Sequence, residues 1–175
     1  MKTSFAFKFL CFIVFSFLTS PSQAIMKELS TEELTKASDT VISGEVESVE
    51  AQWTKDGKTI FTSAYVTVDM AIKGLHIPAN VVVEYVGGEV GNIGLKGSDQ
   101  STLIKGEKVI LFLRSGKSKK DGVVYNIVGK SQGKYVVDSK GIARKGGFSI
   151  AGSKANIDNN IPVDELIEKI RRVKQ

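Results

Sequence analysis

The sequence predicts a mainly β domain: a small OB-like Greek-key β-barrel of five or six strands, with a short N-terminal helix and an amphipathic C-terminal helix. Three observations predict it. From Ile60 to Ile72 the even positions read Ile, Thr, Ala, Val, Val, Met, Ile, the period-2 pattern of a long half-buried strand. Val109 to Leu113 is a continuous apolar run of strand length, as expected of a central strand. Val163, Leu166, Ile167, Ile170 and Val173 recur at the spacing of one helical face.

Residues 1–24 read as a secretory signal peptide. Lys2 and Lys8 supply positive charge, Phe9–Leu18 is an apolar run, and Ser22-Gln23-Ala24 fits a small-residue cleavage site before Ile25. The run is shorter than the roughly 20 residues that span a bilayer. Cys11, the only cysteine of the 175-residue chain, lies inside that run. Cleavage between Ala24 and Ile25 therefore leaves no cysteine, which removes disulfides and Cys-ligated metal sites. Removing Lys2 and Lys8 from the 24 basic residues leaves 22 against 19 acidic ones, a charge near +3. That balance argues against nucleic acid as the main partner. The expected working unit is a single exported domain, 25–175, periplasmic or secreted, with no membrane segment once the leader is removed.

The elements follow in order. Ser30-Thr31-Glu32-Glu33 fits a capping box opening a short helix. Residues 41–53 read as a strand whose apolar parity changes between Val46 and Val49, which requires a bulge near Glu47-Ser48. Asp56-Gly57 marks a hairpin into the strand 60–72. Val81–Val86 forms a third strand. Residues 87–101 carry five glycines and no periodicity, so an irregular loop is expected. The strand at Val109–Leu113 comes next, then a charged hairpin loop, 116–122, and strands at Val123–Val128 and Lys134–Asp138. Residues 139–161 read as irregular. A helix over 162–174 closes the chain, with Pro162 in its first turn, acidic residues at its start and basic residues at its end.

No motif carries identifiable catalysis. Gly116-Lys117-Ser118 lacks the glycine that a phosphate loop needs five positions earlier, where Leu111 stands. Gly147-Phe148-Ser149-Ile150-Ala151 falls short of a nucleophile elbow, and His76, the only histidine, precedes Ser149. His76 reads as an exposed turn residue. No cofactor motif and no metal-ligand spacing is present. The candidate binding set is Gly87, Gly88, Gly91, Asn92, Gly94 and Gly97 with Trp53; the glycine segment serves either as a binding loop or as a connector. Lys117, Lys119 and Lys120, and separately Lys140, Arg144 and Lys145, form two basic clusters. With Trp53, Phe61, Tyr65 and Tyr85 they offer an alternative surface for glycan or single-stranded nucleic acid.

Ala37-Ser38-Asp39-Thr40-Val41-Ile42-Ser43-Gly44-Glu45-Val46 resembles the A-D-x-V-V-x-G-x-V opening of netrin-like domains, the OB barrels that include the tissue inhibitors of metalloproteinases. Ile72-Lys73-Gly74 resembles their K-G turn, and Gly106–Leu113 their G-x-x-Y-L-I strand. The similarity covers about residues 37–138. It implies the barrel. It does not carry over the inhibitory mechanism, which uses an N-terminal cysteine that the expected mature chain, beginning at Ile25, lacks. The pattern is also similar to uncharacterised exported bacterial domains. The expected function is a non-catalytic binding module for another exported protein, in one version a secreted protease. The alternatives are the glycan or nucleic-acid binder and a small hydrolase using an unrecognised Ser–Lys pair.

Overall fold

The computed structural model describes residues 28–97, 100–117, 123–145 and 158–173. The predicted leader with its Ala24–Ile25 junction, Lys119, Lys120 and the Gly147–Ala151 segment lie outside these residues.

Helix α1 spans Thr31–Ala37 and starts with the predicted capping box: Ser30 Oγ accepts from the Glu33 amide at 3.1 Å, and Glu33 accepts from the Ser30 amide at 2.9 Å. Two long strands follow, β1 (Thr40–Trp53) and β2 (Ile60–Lys73), then β3 (Asn80–Val86). The β1–β2 register shifts between Val46 and Ser48, where the change of apolar parity demanded a bulge. It shifts twice more, between Val41 and Ile42 and between Ser43 and Gly44.

The segment after β3 is not an irregular loop. It forms a two-stranded ribbon, β4 (Gly88–Val90) and β5 (Ile93–Leu95). Strands β6 (Lys108–Lys117) and β7 (Val123–Ile127) come next, then a 3₁₀ turn at Lys130–Gly133 and β8 (Lys134–Val137). The stretch 139–161, expected to be irregular, contributes β9 (Ile142–Lys145) and the two-residue β10 (Ile161–Pro162). Both are too short to show periodicity. Helix α2 runs Val163–Arg172, with Pro162 as its N-cap rather than inside its first turn. Ten strands therefore form among the described residues where five or six were expected.

Eight of them make one sheet in the order β1-β2-β3-β7-β6-β8-β9-β10, and β1 pairs with β6 as well. The β3–β7 pairing is parallel, while β1–β2, β2–β3, β6–β7 and β1–β6 are antiparallel. This arrangement creates two cores. Ile42, Val46, Ala64, Val66, Leu111 and Leu113 belong to the first. Val41, Ile110 and Phe112, at the intervening positions of β1 and β6, belong to the second, with Tyr135, Leu34, Leu166, Ile167 and Ile170. Over Val109–Leu113 strand β6 is thus buried on both faces, which explains why that run is continuously apolar. Both helices cover the second core, so the apolar face of α2 is spent on packing within the domain. No helix among the described residues is long and apolar enough to cross a membrane.

One polar group helps close the fold. Lys134 Nζ is 2.6 Å from Glu107 Oε2 and donates to the Thr102 carbonyl at 2.6 Å. The lysine side chain is only 8% exposed, so its charge is compensated locally as burial requires. The pair ties the 101–107 connection to β8.

Candidate functional site

The ribbon begins where β3 must change direction. Gly87 and Gly88 take φ +111 and +126, a region that side chains rarely enter. The Gly87 amide donates to the Ile60 carbonyl at 2.8 Å, and Thr62 Oγ1 donates to the Gly87 carbonyl at 2.6 Å. A Cβ at Gly88 would lie 2.3 Å from Thr62 Oγ1 and 3.0 Å from the Ala51 Cβ. Glycine is needed there because the ribbon root presses on β1 and β2. Gly91 and Asn92 form the two-residue tip, with Gly91 at φ +61 and Asn92 outside the positive-φ residues, the pattern of a type II′ turn. Gly94 faces Glu89 across the ribbon. The Gly97 carbonyl accepts from the Gln100 amide at 3.3 Å.

The glycines therefore divide. Gly87 and Gly88 serve the bend, and Gly91 the tip. Gly94 opens one position of β5 to solvent. The hairpin signal, Gly-Asn between Val90 and Ile93, was present in the sequence, but three-residue strands carry no detectable alternation. Around the ribbon several apolar side chains stay outside both cores: Ile93 is 56% exposed, Val86 51%, Leu95 40% and Trp53 39%. A narrow recess at the ribbon root is lined by Tyr85, Gly88, Leu95, Lys96, Gln100 and Thr102.

Trp53 ends β1 opposite Ile60, so it shares the face of Ala51 and Thr62 on which the ribbon root lies. Two of the other aromatics do not join it. Phe61 and Tyr65 occupy the opposite face of β2, with Tyr65 across from Ser48. Tyr85 is an internal strut: its hydroxyl accepts from the Leu103 amide at 3.2 Å, and burial pushes that hydroxyl above its ordinary range. The expected aromatic platform is thus split between faces. The second basic cluster is split as well. Arg144 pairs with Asp138 at 3.0 Å, while Lys145 Nζ sits 5.3 Å from the centroid of the Tyr135 ring.

A polar cluster that sequence reasoning missed lies between α1 and α2. Tyr135 Oη is 3.3 Å from Thr31 Oγ1, and burial pushes its hydroxyl well above the usual range. Lys145 Nζ donates to the Leu29 carbonyl at 3.4 Å. Burial brings its ammonium down to about 8, outweighing the attraction of Asp158 and Glu28. Burial opposes the Asp158 charge, but hydrogen bonds from Lys169 and Thr31, with the Lys145 charge nearby, hold its carboxyl below the ordinary range. Lys169 meets Asp158 at 2.6 Å and Glu165 at 3.4 Å. Apart from the helical Lys169–Glu165 contact, every pairing joins residues 10 or more apart, and those to Leu29 and Thr31 span more than 100, so no local pattern announces them. The lysines and carboxylates neutralise one another across the junction of the two helices, which locks the N-terminal segment onto the second core.

The motif residues behind the netrin-like resemblance have structural tasks. A Cβ at Gly44 would fall 2.2 Å from the Thr67 carbonyl oxygen, at a β1–β2 register shift. Asp39 Oδ2 accepts from the Ser115 amide and hydroxyl, both at 3.0 Å. Lys73 Nζ donates to the Thr35 and Ser38 carbonyls at 2.7 and 2.8 Å, filling acceptors that the end of α1 leaves open. Gly74 has φ +108, and the Gly106 amide donates to the Val46 carbonyl at 2.8 Å. His76 is exposed, with φ +54. Among the described residues no three or more His, Cys, Asp or Glu gather into a possible metal site. Neither a protein-family model nor a curated protein matches the chain.

Proposed function

We propose that this chain is an exported, non-catalytic module with an OB-like barrel that binds another exported protein through its β4–β5 ribbon. The leader pattern of residues 1–24 supports export. The pairing of β1 with both β2 and β6, together with the parallel β3–β7 contact, supports a ring of β1, β2, β3, β7 and β6. The feature order that resembles netrin-like domains fits such a barrel.

The observation that carries the functional reading is the ribbon itself. Its root is built into the body through Gly87 and Gly88, yet Ile93 and Leu95 are kept out of both cores. Apolar side chains grouped on a projecting element gain burial only from a partner. Mature chain, Ile25–Gln175, immobilised and exposed to the envelope and medium of the producing cell, is expected to retain a protein at low and high salt. Ile93→Asp with Leu95→Asp, at unchanged circular dichroism, is expected to lose it. Equal retention by the variant refutes the ribbon's role, and no retained protein at either salt refutes protein binding.

A further inference from the structure

Building on the ribbon reading, we propose that the free edge of β5 docks an extended peptide with one basic residue flanked by aliphatic residues. Among the described residues strand β5 pairs only with β4. Gly88 faces Leu95, Glu89 faces Gly94 and Val90 faces Ile93. A two-residue turn makes the Val90–Ile93 pair hydrogen-bonded, and the pairs then alternate. Glu89–Gly94 is therefore the pair that exchanges no hydrogen bonds, and the Gly94 N–H and C=O point away from β4 along the open edge. An antiparallel strand arriving there exchanges both bonds between Gly94 and one central residue. Ile93, Gly94 and Leu95 place no proline and no charge along this edge. At the far side of the main sheet, by contrast, β10 ends in Pro162 and runs directly into α2.

The two faces of the ribbon define what the peptide must carry. A Cβ at Gly88 points at Thr62, so the face shared by Gly88, Val90, Ile93 and Leu95 turns toward the body of the domain. Ile93 and Leu95 overhang that body and remain 56% and 40% exposed. The residues on either side of the central peptide residue lie opposite them, which selects aliphatic side chains. The central side chain falls on the other face. Gly94 offers no side chain there, and Glu89 already lies across it: a Cβ at Gly94 would be 3.3 Å from Glu89 Cγ and 3.8 Å from Oε1. A lysine or arginine can extend over the glycine to that carboxylate. A second copy of the chain fits less well. Pairing β5 with its own copy about Gly94 places the two Glu89 carboxylates on one face, leaning toward each other.

Fluorescence polarisation with the mature chain and dye-labelled heptapeptides tests this. STVKVTS is expected to bind saturably, and STVEVTS at least ten-fold more weakly. Methylation of the backbone nitrogen of the peptide lysine is expected to abolish binding, because that N–H donates to the Gly94 carbonyl. Glu89→Lys, whose side chain lies on the exposed face of the ribbon, is expected to reverse the preference so that STVEVTS binds better. Absence of saturable STVKVTS binding overturns the proposal, as does a preference that Glu89→Lys leaves unmoved. Light scattering that shows dimers broken by Gly94→Pro would also overturn it, assigning the edge to a second copy. If peptides fail while partner capture still depends on Ile93 and Leu95, the edge proposal falls and the protein-binding reading stands.

Discussion

Replacing Leu166 by Ala tests whether α2 is an integral part of the domain. Leu166 is fully buried, and it sits in the second core with Ile110, Phe112 and Tyr135. The substitution removes the branched end of the side chain from the second core, beside α1, where packed neighbours limit collapse. Leu→Ala changes at such sites cost about 2.7–5 kcal/mol. For a chain of this size, roughly 2–4 °C of melting temperature is lost per kcal/mol, so a drop of about 5–20 °C is expected. Urea unfolding followed by circular dichroism gives the free energy, and differential scanning calorimetry the melting temperature. Glu165→Ala, on the exposed side of the same helix, is the control and should change stability by less than about 1 kcal/mol. A loss below about 1 kcal/mol for Leu166→Ala would show that the helix does not hold this packing in solution. The outer face of β6 would then be open, and the two-core description would fail.

Two further expectations concern the ribbon root and the junction of the helices. Gly88→Ala should destabilise by about 2–3 kcal/mol, because its Cβ meets Thr62 Oγ1 at 2.3 Å in a positive-φ conformation. Gly91→Ala, with φ +61 but open space around it, should cost only about 1–2 kcal/mol; equal urea midpoints for the two variants would contradict the close-approach argument. Stability should also rise with pH above about 8, where folded Lys145 has released a proton that the unfolded chain keeps until its ordinary value of 10.5. Above about 10 it should fall, because folded Tyr135 keeps a phenol proton that the unfolded chain loses. Urea midpoints measured from pH 7 to 11 should thus peak near pH 10, and Lys145→Met should flatten the rise; a wild-type midpoint constant from pH 8 to 10 would refute the burial of that ammonium.

By itself the sequence determined the elements whose signals are local and long. The alternation over Ile60–Ile72 gave β2, the parity change at Val46–Val49 placed a bulge that the β1–β2 register shows, and Ser30 with Glu33 fixed the start of α1. The spacing of Leu166, Ile167 and Ile170 gave α2. Each of these rests on a periodicity or a cap contained within a dozen or so residues. The tertiary structure decided what depends on which segments meet. It turned the glycine-rich stretch into a ribbon, because three-residue strands become visible only when Gly88–Val90 pairs with Ile93–Leu95. It put Trp53 and Tyr65 on opposite faces, since strand pairing assigns faces across a hairpin. It docked α2 against α1, β2 and β9, where its apolar face joins the second core that Ile110 and Phe112 of β6 also enter. It also joined Thr31, Tyr135, Lys145 and Asp158 into one network. Charge and hydrogen-bonding capacity are written into single residues, but their partners are set by packing between segments far apart in the chain.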